Sequence, residues 1–237
     1  MTIETCYSPE LIPLYNLENK IVVVVDIFRA TSSMVAGLSA GVPHIIPVAD
    51  KEKCLPYKAQ NYILAGERNG EKIADFDIGN SPVGFTKIAQ KKQPICMSTT
   101  NGTKAISLSL SAKEVLIGAF LNLDVIAEYL KNKQQNIVIF CAGWKGKYSL
   151  EDTLFAGALT AKITTKNTVL CDASLAAEVL YDAAKSNIYR FLLQSSHAQR
   201  LGNLDNQNDI YEDIQFCCTL NKFDKTVVFQ NGRLLLN

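Results

Sequence analysis

Residues 21–41, IVVVVDIFRATSSMVAGLSAG, decide the fold class. They begin with five consecutive β-branched residues, Ile21–Val25, without polar alternation, which is the pattern of a strand buried on both faces. The strand ends at Asp26, and small residues from Ala30 onward predict a helix. A buried strand that ends in a carboxylate and turns into a helix is where α/β proteins bind ligands. We therefore expect Asp26 and Arg29 to belong to a site for an anion and a metal ion.

The rest of the chain alternates between apolar, β-rich segments and helical patterns. Strands are predicted at Ile21–Val25, His44–Val48, Tyr62–Ala65, Ile95–Ser98, Glu114–Ile117, Asn136–Cys141, Thr226–Phe229 and Arg233–Leu236. Helices are predicted at Thr31–Ser39, Lys51–Gln60, Pro82–Gln90, Lys104–Ser109, Leu123–Asn132, Leu150–Thr164, Ala173–Asp182 and Ile188–Leu201. This order predicts an α/β fold with a mostly parallel, mixed sheet covered on both faces. Asn231-Gly232, between the last two strands, predicts a C-terminal hairpin.

Composition places the chain among globular proteins. Of 237 residues, 48% are hydrophobic and 20% are charged, and no repeat or linker divides them. We expect residues 1–237 to form a single domain, although the chain after about residue 142 is more helical and allows a separate lobe. The net charge of +1 gives no general attraction to nucleic acid or to an anionic membrane. An anionic ligand therefore has to be held by local positive groups.

Cysteine and histidine usage argues against disulfides and structural zinc. The seven cysteines are an odd number in mostly apolar surroundings, which favours reduced thiols, and only two histidines are present. The N-terminal residues lack a signal-peptide pattern, and no segment reaches membrane-spanning length. We expect a cytoplasmic protein without nucleic-acid or membrane partners. The sequence leaves the oligomeric state open and allows a homodimer.

The longest polar loop follows the predicted strand Tyr62–Ala65 and reads AGERNGEKIADFDIGNSP from Ala65 onward. It is rich in glycine and charged residues and has little to bury. Loops longer than about 12–15 residues are uncommon in compact domains unless they are functional or disordered. A solvated surface loop is the alternative. The functional interpretation takes its candidate residues from this loop: Glu67, Arg68, Asp77, Asn80 and Ser81.

A third loop, STTNGTK, spans Ser98–Lys104 and follows a buried strand. Hydroxyl groups, a glycine and a lysine between a strand and a helix are typical of a phosphate-binding loop. The G-x-x-x-x-G-K-[ST] order of a P-loop is absent, so a nucleoside triphosphate is not indicated. Helix capping is the alternative interpretation. The candidates for phosphate binding are Thr99, Thr100, Asn101 and Gly102.

The fourth loop lies in CAGWKGKYSLEDTLFAGAL, which begins at Cys141. Ser149 followed by two acidic residues is typical of a helix N-terminus, where serine caps the helix and acids complement the helix dipole. The preceding glycine-containing segment, 143–147, suits backbone contacts with an anion. Both interpretations remain open here. The functional one includes Gly146, Ser149, Glu151 and Asp152.

Together the four loops predict one site. Because the carboxyl ends of parallel strands share one edge of a sheet, we expect their polar side chains to converge there. Carboxylates are suitable ligands for Mg²⁺, and the anion would be held by basic side chains. The basic candidates are Arg29, Arg68, Lys104 and Lys145 or Lys147. These components are those of metal-assisted phosphoryl transfer or hydrolysis.

Four motifs in this order resemble the 2-phosphosulfolactate phosphatase family: VVVVDIFRATSSMVAGLSAG, GERNGEKIADFDIGNSP, STTNGTKA and CAGWKGKYSLEDTLFAGAL. The similarity covers nearly the whole chain, including YEDIQFCCTLNKFDKTVVFQNGRLL near its end. The resemblance implies a three-layer α/β/α fold and a Mg²⁺-dependent hydrolase. The implied reaction releases phosphate from a 2-phospho-3-sulfolactate-like 2-hydroxyacid and leaves sulfolactate, a step of coenzyme M biosynthesis in methanogens. The matching motif positions are Asp26, Arg29, Thr31, Glu67, Arg68, Asn69, Gly70, Asp77, Gly79, Asn80, Ser81, Thr99, Thr100, Asn101, Gly102, Ser149, Glu151 and Asp152.

The candidate residues divide into three predicted roles. Catalytic roles are predicted for Asp26, Arg29, Glu67, Arg68 and Asp77. Substrate or phosphate binding is predicted for Thr31, Asn80, Ser81, Thr99, Thr100, Asn101, Gly102, Gly146 and Ser149. Metal binding is predicted for Asp26, Glu67, Asp77, Glu151 and Asp152.

Two other functions are compatible with parts of this pattern. A phosphatase of the haloacid dehalogenase type would use Asp26 as a nucleophile, but it needs a second acid two residues later, where this chain has Phe28. We therefore favour direct attack by metal-activated water. A non-catalytic anion-binding protein would need the basic groups but not so many carboxylates facing a negative ligand.

Overall fold

The computed structural model describes residues 1–203 and 207–237. In these residues eleven strands form one sheet, in the order β5-β4-β6-β3-β11-β10-β7-β2-β8-β1-β9. The strands are β1 (Thr2–Cys6), β2 (Ile21–Val25), β3 (Ile45–Pro47), β4 (Ile63–Arg68), β5 (Glu71–Lys72), β6 (Ile95–Ser98), β7 (Glu114–Gly118), β8 (Ile137–Cys141), β9 (Val169–Leu170), β10 (Val227–Gln230) and β11 (Arg233–Leu236).

Ten α-helices in the same residues cover the sheet. They are α1 (Ala30–Ser39), α2 (Leu55–Lys58), α3 (Pro82–Ile88), α4 (Gly102–Leu108), α5 (Leu123–Lys133), α6 (Leu150–Ile163), α7 (Asp172–Ala184), α8 (Ile188–Leu192), α9 (Ser196–Gly202) and α10 (Gln207–Cys217). The predicted three-layer α/β/α fold, with its mostly parallel mixed sheet and C-terminal hairpin, is confirmed.

Strand β2 lies in the interior of the sheet, between β7 and β8, and is parallel to both. Each of its five side chains is buried. Strand β8 is likewise buried along its whole length. Burial on both faces explains why neither sequence alternates between apolar and polar residues. The end of β2 therefore places Asp26 inside the protein rather than at its surface.

The sheet consists of two parallel sets joined by the hairpin β10–β11. One set contains β7, β2, β8, β1 and β9, and the other contains β3, β6 and β4. Three successive antiparallel pairings separate the sets, so they run in opposite directions along the sheet. The carboxyl ends of β2 and β6 therefore do not lie at the same edge of the sheet, contrary to the expectation from the sequence. The loops that follow these two strands meet instead because α4 packs directly against α1.

Several short elements differ from the predicted ones. Strands β1, β5 and β9 were not predicted, and the last two are only two residues long. The predicted helix Lys51–Gln60 reduces to a 3₁₀ turn at Lys51–Lys53 followed by the one-turn helix α2, in which Pro56 occupies the first turn. The helix predicted at Ile188–Leu201 divides into α8 and α9, because the Ser195 hydroxyl accepts the Ala198 N–H and starts a new helix.

The helices after residue 142 pack on the same sheet. Helix α6 packs against β8 and β2 and also against α5 and α7, while α7 lies along β1. Helices α6 and α7 touch at Gly157, where an added Cβ would lie 1.9 Å from the Ala177 carbonyl oxygen. The single-domain organisation of residues 1–237 stays a prediction. No described helix has both the length and the apolar composition needed to cross a membrane.

Candidate active site

Asp26 is the buried carboxylate at the end of β2, with 7% of its surface exposed. Its Oδ1 atom accepts one long hydrogen bond, 3.4 Å from the Ala30 N–H. Burial raises the pKa of Asp26 to about 7; the charge of His197 opposes this rise, and the Glu67 and Glu151 carboxylates add to it. A buried carboxylate with so few donors of its own is suited to a cation or to a reacting group.

Thr31 fixes the turn that carries Asp26. Its hydroxyl donates to the Asp26 carbonyl oxygen at 2.9 Å and accepts the Asp26 N–H at 3.0 Å. The Thr31 side chain is fully buried and lines neither of the two cavities at the site. Its contacts therefore assign it to the support of the turn, whereas the sequence predicted contact with the substrate.

A small inner pocket adjoins Asp26. Its volume of about 10 Å³ is close to that of one water-sized group. The residues around it are Asp26, Phe28, Arg29, Glu67, Gly70, Asn80, Asn101, Trp144, His197 and Leu201. Residues of the first three loops predicted from the sequence thus meet here, and Trp144 is the lining residue from the fourth loop.

Glu67 connects two of these loops. Its Oε2 atom accepts the Gly70 N–H at 2.7 Å, and Oε1 accepts the Thr100 N–H at 2.8 Å. The carboxylate therefore ties the loop after β4 to the loop after β6. Among the described residues, the buried Asn80 Oδ1 and Thr100 Oγ1 atoms have no hydrogen-bond partner. A buried amide oxygen without a partner is unfavourable, so the Asn80 side chain, which lines the inner pocket, is suited to bind a donor or a cation.

Arg29 forms a buried ion pair with Asp213 of α10. Its Nη1 atom lies 2.5 Å from Asp213 Oδ2, and the two side chains are 8% and 3% exposed. Ser81 caps α3 by accepting the Gly84 N–H, and its hydroxyl donates to the other Asp213 oxygen at 2.6 Å. Asp213 therefore fixes two of the predicted residues, although no pattern in the sequence singles it out.

A larger outer cavity of about 480 Å³ lies beside this ion pair. The lining residues are Arg29, Gly70, Glu71, Lys72, Gly79, Asn80, Ser81, Val83, Gly84, Lys87, Asp209, Ile210, Glu212 and Asp213. Arg29, Gly70 and Asn80 line both this cavity and the inner pocket. A ligand in the outer cavity would thus reach Arg29 on its way to Asp26.

The loop after β6 packs directly on the turn after β2. Thr99 exchanges hydrogen bonds with Thr103 and so caps the start of α4. The Asn101 Oδ1 atom accepts the Lys145 N–H at 3.2 Å, which joins this loop to the fourth one. The capping alternative thus holds for Thr99, while Asn101 lines the inner pocket.

Gly102 gives a prediction about this close packing. A Cβ on Gly102 would lie 2.7 Å from Ala30 Cβ and 2.9 Å from Asp26 Oδ2. Gly102→Ala would displace Asp26, so we expect kcat to fall at least tenfold and the free energy of unfolding to fall by about 1–3 kcal/mol. Gly79→Ala is the control for stability, because its Cβ would meet only Lys72 at 3.7 Å. Thermal melts and phosphate-release rates measure the two effects on Gly102→Ala, and a stability of Gly102→Ala equal to that of Gly79→Ala would contradict the prediction.

The fourth loop supplies support around the pocket. Asp152 accepts the Ile27 N–H at 2.9 Å and the Gly143 N–H at 3.1 Å, which fixes the chain just after Asp26. Burial raises the pKa of Asp152 well above its usual value, and the charges of Glu151 and Asp26 add to this effect. Ser149 accepts the Asp152 N–H and caps α6, as the alternative interpretation expected.

Gly146 lies in the tight Trp144–Lys147 turn with φ +78°, a conformation that favours glycine. A Cβ there would meet the Glu10 side chain at 2.9 Å. Gly146 lines neither the inner pocket nor the outer cavity. Its position accounts for the shape of the turn and leaves substrate contact as a prediction.

Two predicted catalytic residues lie apart from Asp26. The Arg68 guanidinium donates to the Glu67 and Ala49 carbonyl oxygens and to Ser98 Oγ. Asp77 accepts the Leu64 N–H at 2.8 Å, and its other oxygen lies 4.0 Å from Lys58. Neither side chain lines the inner pocket or the outer cavity. The structure thus gives both residues contacts that stabilise the loop after β4.

His197 of α9 is a titratable residue at the pocket that was not predicted from the sequence. Its Nδ1 atom lies 2.6 Å from Oε1 of Glu151, which is 1% exposed. Burial acts to raise the pKa of Glu151, but the hydrogen bond and charge of His197 outweigh it and lower that pKa. The imidazole packs against Phe28 and Trp144, with ring centroids 6.1 and 5.1 Å away. The available signal was that His197 is one of only two histidines in the chain.

The predicted metal ligands do not all meet. Within residues 1–203 and 207–237, no three histidine, cysteine, aspartate or glutamate side chains are arranged to hold a metal ion. Asp26, Glu67 and Asn80 do line the inner pocket, and the Asn80 Oδ1 atom has no hydrogen-bond partner among the described residues. Mg²⁺ commonly binds through one or two carboxylates, with water and substrate phosphate as the remaining ligands. These three side chains therefore fit a Mg²⁺ ion, whereas Asp77, Glu151 and Asp152 do not line the inner pocket.

The family model of 2-phosphosulpholactate phosphatase matches residues 6–232. The chain belongs to this family. It is 37% identical over 222 residues to the "Probable 2-phosphosulfolactate phosphatase" of Caldanaerobacter subterraneus subsp. tengcongensis, covering 92% of this chain and 90% of that relative. The protein of the same description from Thermotoga maritima is 37% identical over 94% of this chain and 95% of its own length. The Clostridium novyi protein, also so described, is 36% identical over 92% and 93%.

Proposed function

We propose that the protein is a Mg²⁺-dependent phosphatase that hydrolyses the phosphate monoester of a 2-phospho-3-sulfolactate-like 2-hydroxyacid. The products would be sulfolactate and inorganic phosphate. The family membership supports the reaction class and this substrate. The observation that carries the proposal is the meeting of Asp26, Glu67, Arg29 and Asn80 at one pocket, where the Asn80 Oδ1 atom has no partner among the described residues.

Each of these residues has a task that its position permits. Asp26, Glu67 and Asn80 would hold Mg²⁺, which when bound neutralises phosphoryl charge and activates a water molecule. Arg29, oriented by Asp213, would bind a phosphoryl oxygen from the outer cavity. The Gly102 position, which has no side chain, leaves room beside the Asp26 carboxylate. The outer cavity of about 480 Å³ would hold the rest of a small anionic substrate.

Direct attack by water remains our preference over a phosphoaspartate on Asp26. The haloacid dehalogenase type requires a second acid at position 28, and Phe28 there packs against His197. A purely anion-binding protein is disfavoured by the negative charge around the ligand. Asp26 and Glu67 would repel a phosphate ester unless a cation lies between them.

We further propose that the enzyme works in the cytoplasm. All seven cysteines are free thiols, which is the usual state in a reducing compartment. The predictions of a homodimer, of a role in coenzyme M biosynthesis and of independence from nucleic acid stay predictions.

The decisive test is phosphate release from 2-phosphosulfolactate with Mg²⁺ and with a chelator. We expect turnover with Mg²⁺ and a loss of at least about 10²-fold with EDTA, restored by added Mg²⁺. The rate of phosphate release from 2-phospholactate, which has no sulfonate, shows how much the sulfonate contributes to turnover. Equal rates with Mg²⁺ and EDTA would remove the metal from the mechanism. No release from any 2-phosphorylated hydroxyacid would contradict the proposed function, and a phosphoenzyme that depends on Asp26 would favour covalent catalysis.

A further inference from the structure

The pair formed by His197 and Glu151 has the geometry of an oriented proton donor. Glu151 is buried at the start of α6, and an ionised carboxylate can only accept hydrogen bonds. The 2.6 Å contact therefore places a proton on Nδ1 and fixes the orientation of the ring. The Nε2 atom makes no hydrogen bond to any residue in the described part of the chain. This leaves Nε2 available to a ligand.

The surroundings of the ring direct it toward the inner pocket. Phe28 and Trp144 pack against the imidazole, and all three side chains line that pocket together with Asp26. A side chain held by aromatic packing and by a hydrogen bond keeps one orientation, which a proton donor requires. A histidine whose only task was to satisfy a buried acid would not need to line the pocket.

The proposed reaction needs a proton donor, and the other charged groups of the pocket are occupied. The leaving group is the alkoxide of a 2-hydroxyacid, which departs slowly unless it is protonated. Asp26 and Glu67 would be ionised as Mg²⁺ ligands, and Arg29 is paired with Asp213 and does not release its proton. His197 is the remaining titratable side chain that lines the pocket.

We propose that His197 is the general acid that protonates the leaving oxygen, and that Glu151 is its positioning residue. This inference rests on the proposed function. As water forms the new P–O bond, the ester P–O bond breaks and its electron pair stays on the oxygen of the hydroxyacid. That oxygen takes the Nε2 proton and leaves as a hydroxyl group. The attacking water loses one proton to solvent, and the neutral imidazole regains one from solvent, so the overall reaction balances.

The test compares His197→Asn, Glu151→Gln and the control His44→Asn with 2-phosphosulfolactate and Mg²⁺. His44 is the other histidine; it contacts Tyr62 and lines neither cavity. We expect His197→Asn to lower kcat by about 10²–10⁴-fold with little change in KM, and Glu151→Gln to lower it less. His44→Asn should retain the wild-type kcat. Thermal melts establish that each variant is folded.

The bridging-oxygen ¹⁸O isotope effect on kcat/KM separates chemistry from structure. Without a general acid, the leaving oxygen carries more charge at the transition state, so the isotope effect should rise in His197→Asn and, to a smaller extent, in Glu151→Gln. A lost rate with an unchanged isotope effect would assign both residues a structural role and overturn the proposal. A wild-type rate in His197→Asn would overturn it as well. If the wild-type protein itself releases no phosphate, the proposed function fails, which is a different result.

Discussion

Asp26→Asn should lower phosphate release by about 10²–10³-fold or more while the protein stays folded. Asparagine has almost the shape of aspartate, so the packing with Ala30 and Gly102 is preserved. It lacks the negative charge with which Asp26 would hold Mg²⁺ beside Glu67. Because burial disfavours the ionised form of Asp26, the neutral asparagine should not destabilise the fold. We therefore expect an unchanged or slightly higher Tm together with the lost activity.

Asp77→Asn is the matched control for this variant. Both aspartates were predicted from the sequence as catalytic metal ligands. Asp77, however, accepts the Leu64 N–H and is about 41% exposed, outside both cavities. We expect its substitution to change kcat less than about twofold, since surface substitutions are usually mild. Titration with Mg²⁺ should show the same activation in Asp77→Asn as in the wild type. Wild-type rates in Asp26→Asn, or equal losses in both variants, would remove Asp26 from the mechanism.

The elements that the sequence predicted best are those with the strongest local pattern. The apolar runs at β2 and β8 left no alternative to buried strands, and Asn231-Gly232 set the C-terminal hairpin. Short elements such as β5 and β9 have too few residues to show any period. The reversal of direction between the two parallel sets is a long-range property. It follows from where the last hairpin inserts, which no local pattern records.

The sequence predicted which loops contribute to the site, but not the role of each residue in them. Asp26, Arg29, Glu67, Asn80 and Asn101 do line one pocket. The same polar pattern also describes side chains that stabilise turns, as Arg68 and Asp77 do, and only their contacts distinguish the two. His197 and Asp213 could not be found from strand ends, because both lie on helices far along the chain. Each is recognised by its buried partner, Glu151 or Arg29.

The ion pair between Arg29 and Asp213 predicts the largest loss of stability. Asp213→Leu would leave the Arg29 guanidinium buried without its partner and would leave Ser81 without its acceptor. Breaking a buried pair on one side costs about 3–5 kcal/mol, which corresponds to a fall in Tm of about 6–20 °C in a domain of this size. Asp182→Asn is the control, because its pair with Lys185 is more than half exposed and should contribute less than about 1 kcal/mol.

Removing both charges separates two free energies: the destabilisation caused by an unpaired buried ion, and the stabilisation that the ion pair itself provides. In Arg29→Met/Asp213→Leu no buried charge is left alone, so we expect the double variant to be more stable than Asp213→Leu. It should nevertheless release no phosphate, because Arg29 also lines both the inner pocket and the outer cavity. Urea unfolding gives the free energies of unfolding of Arg29→Met, Asp213→Leu and the double variant relative to the wild type. Phosphate release gives their rates. Additive losses of stability would mean that the two side chains act independently, and an active double variant would show that Arg29 is not needed to bind the substrate.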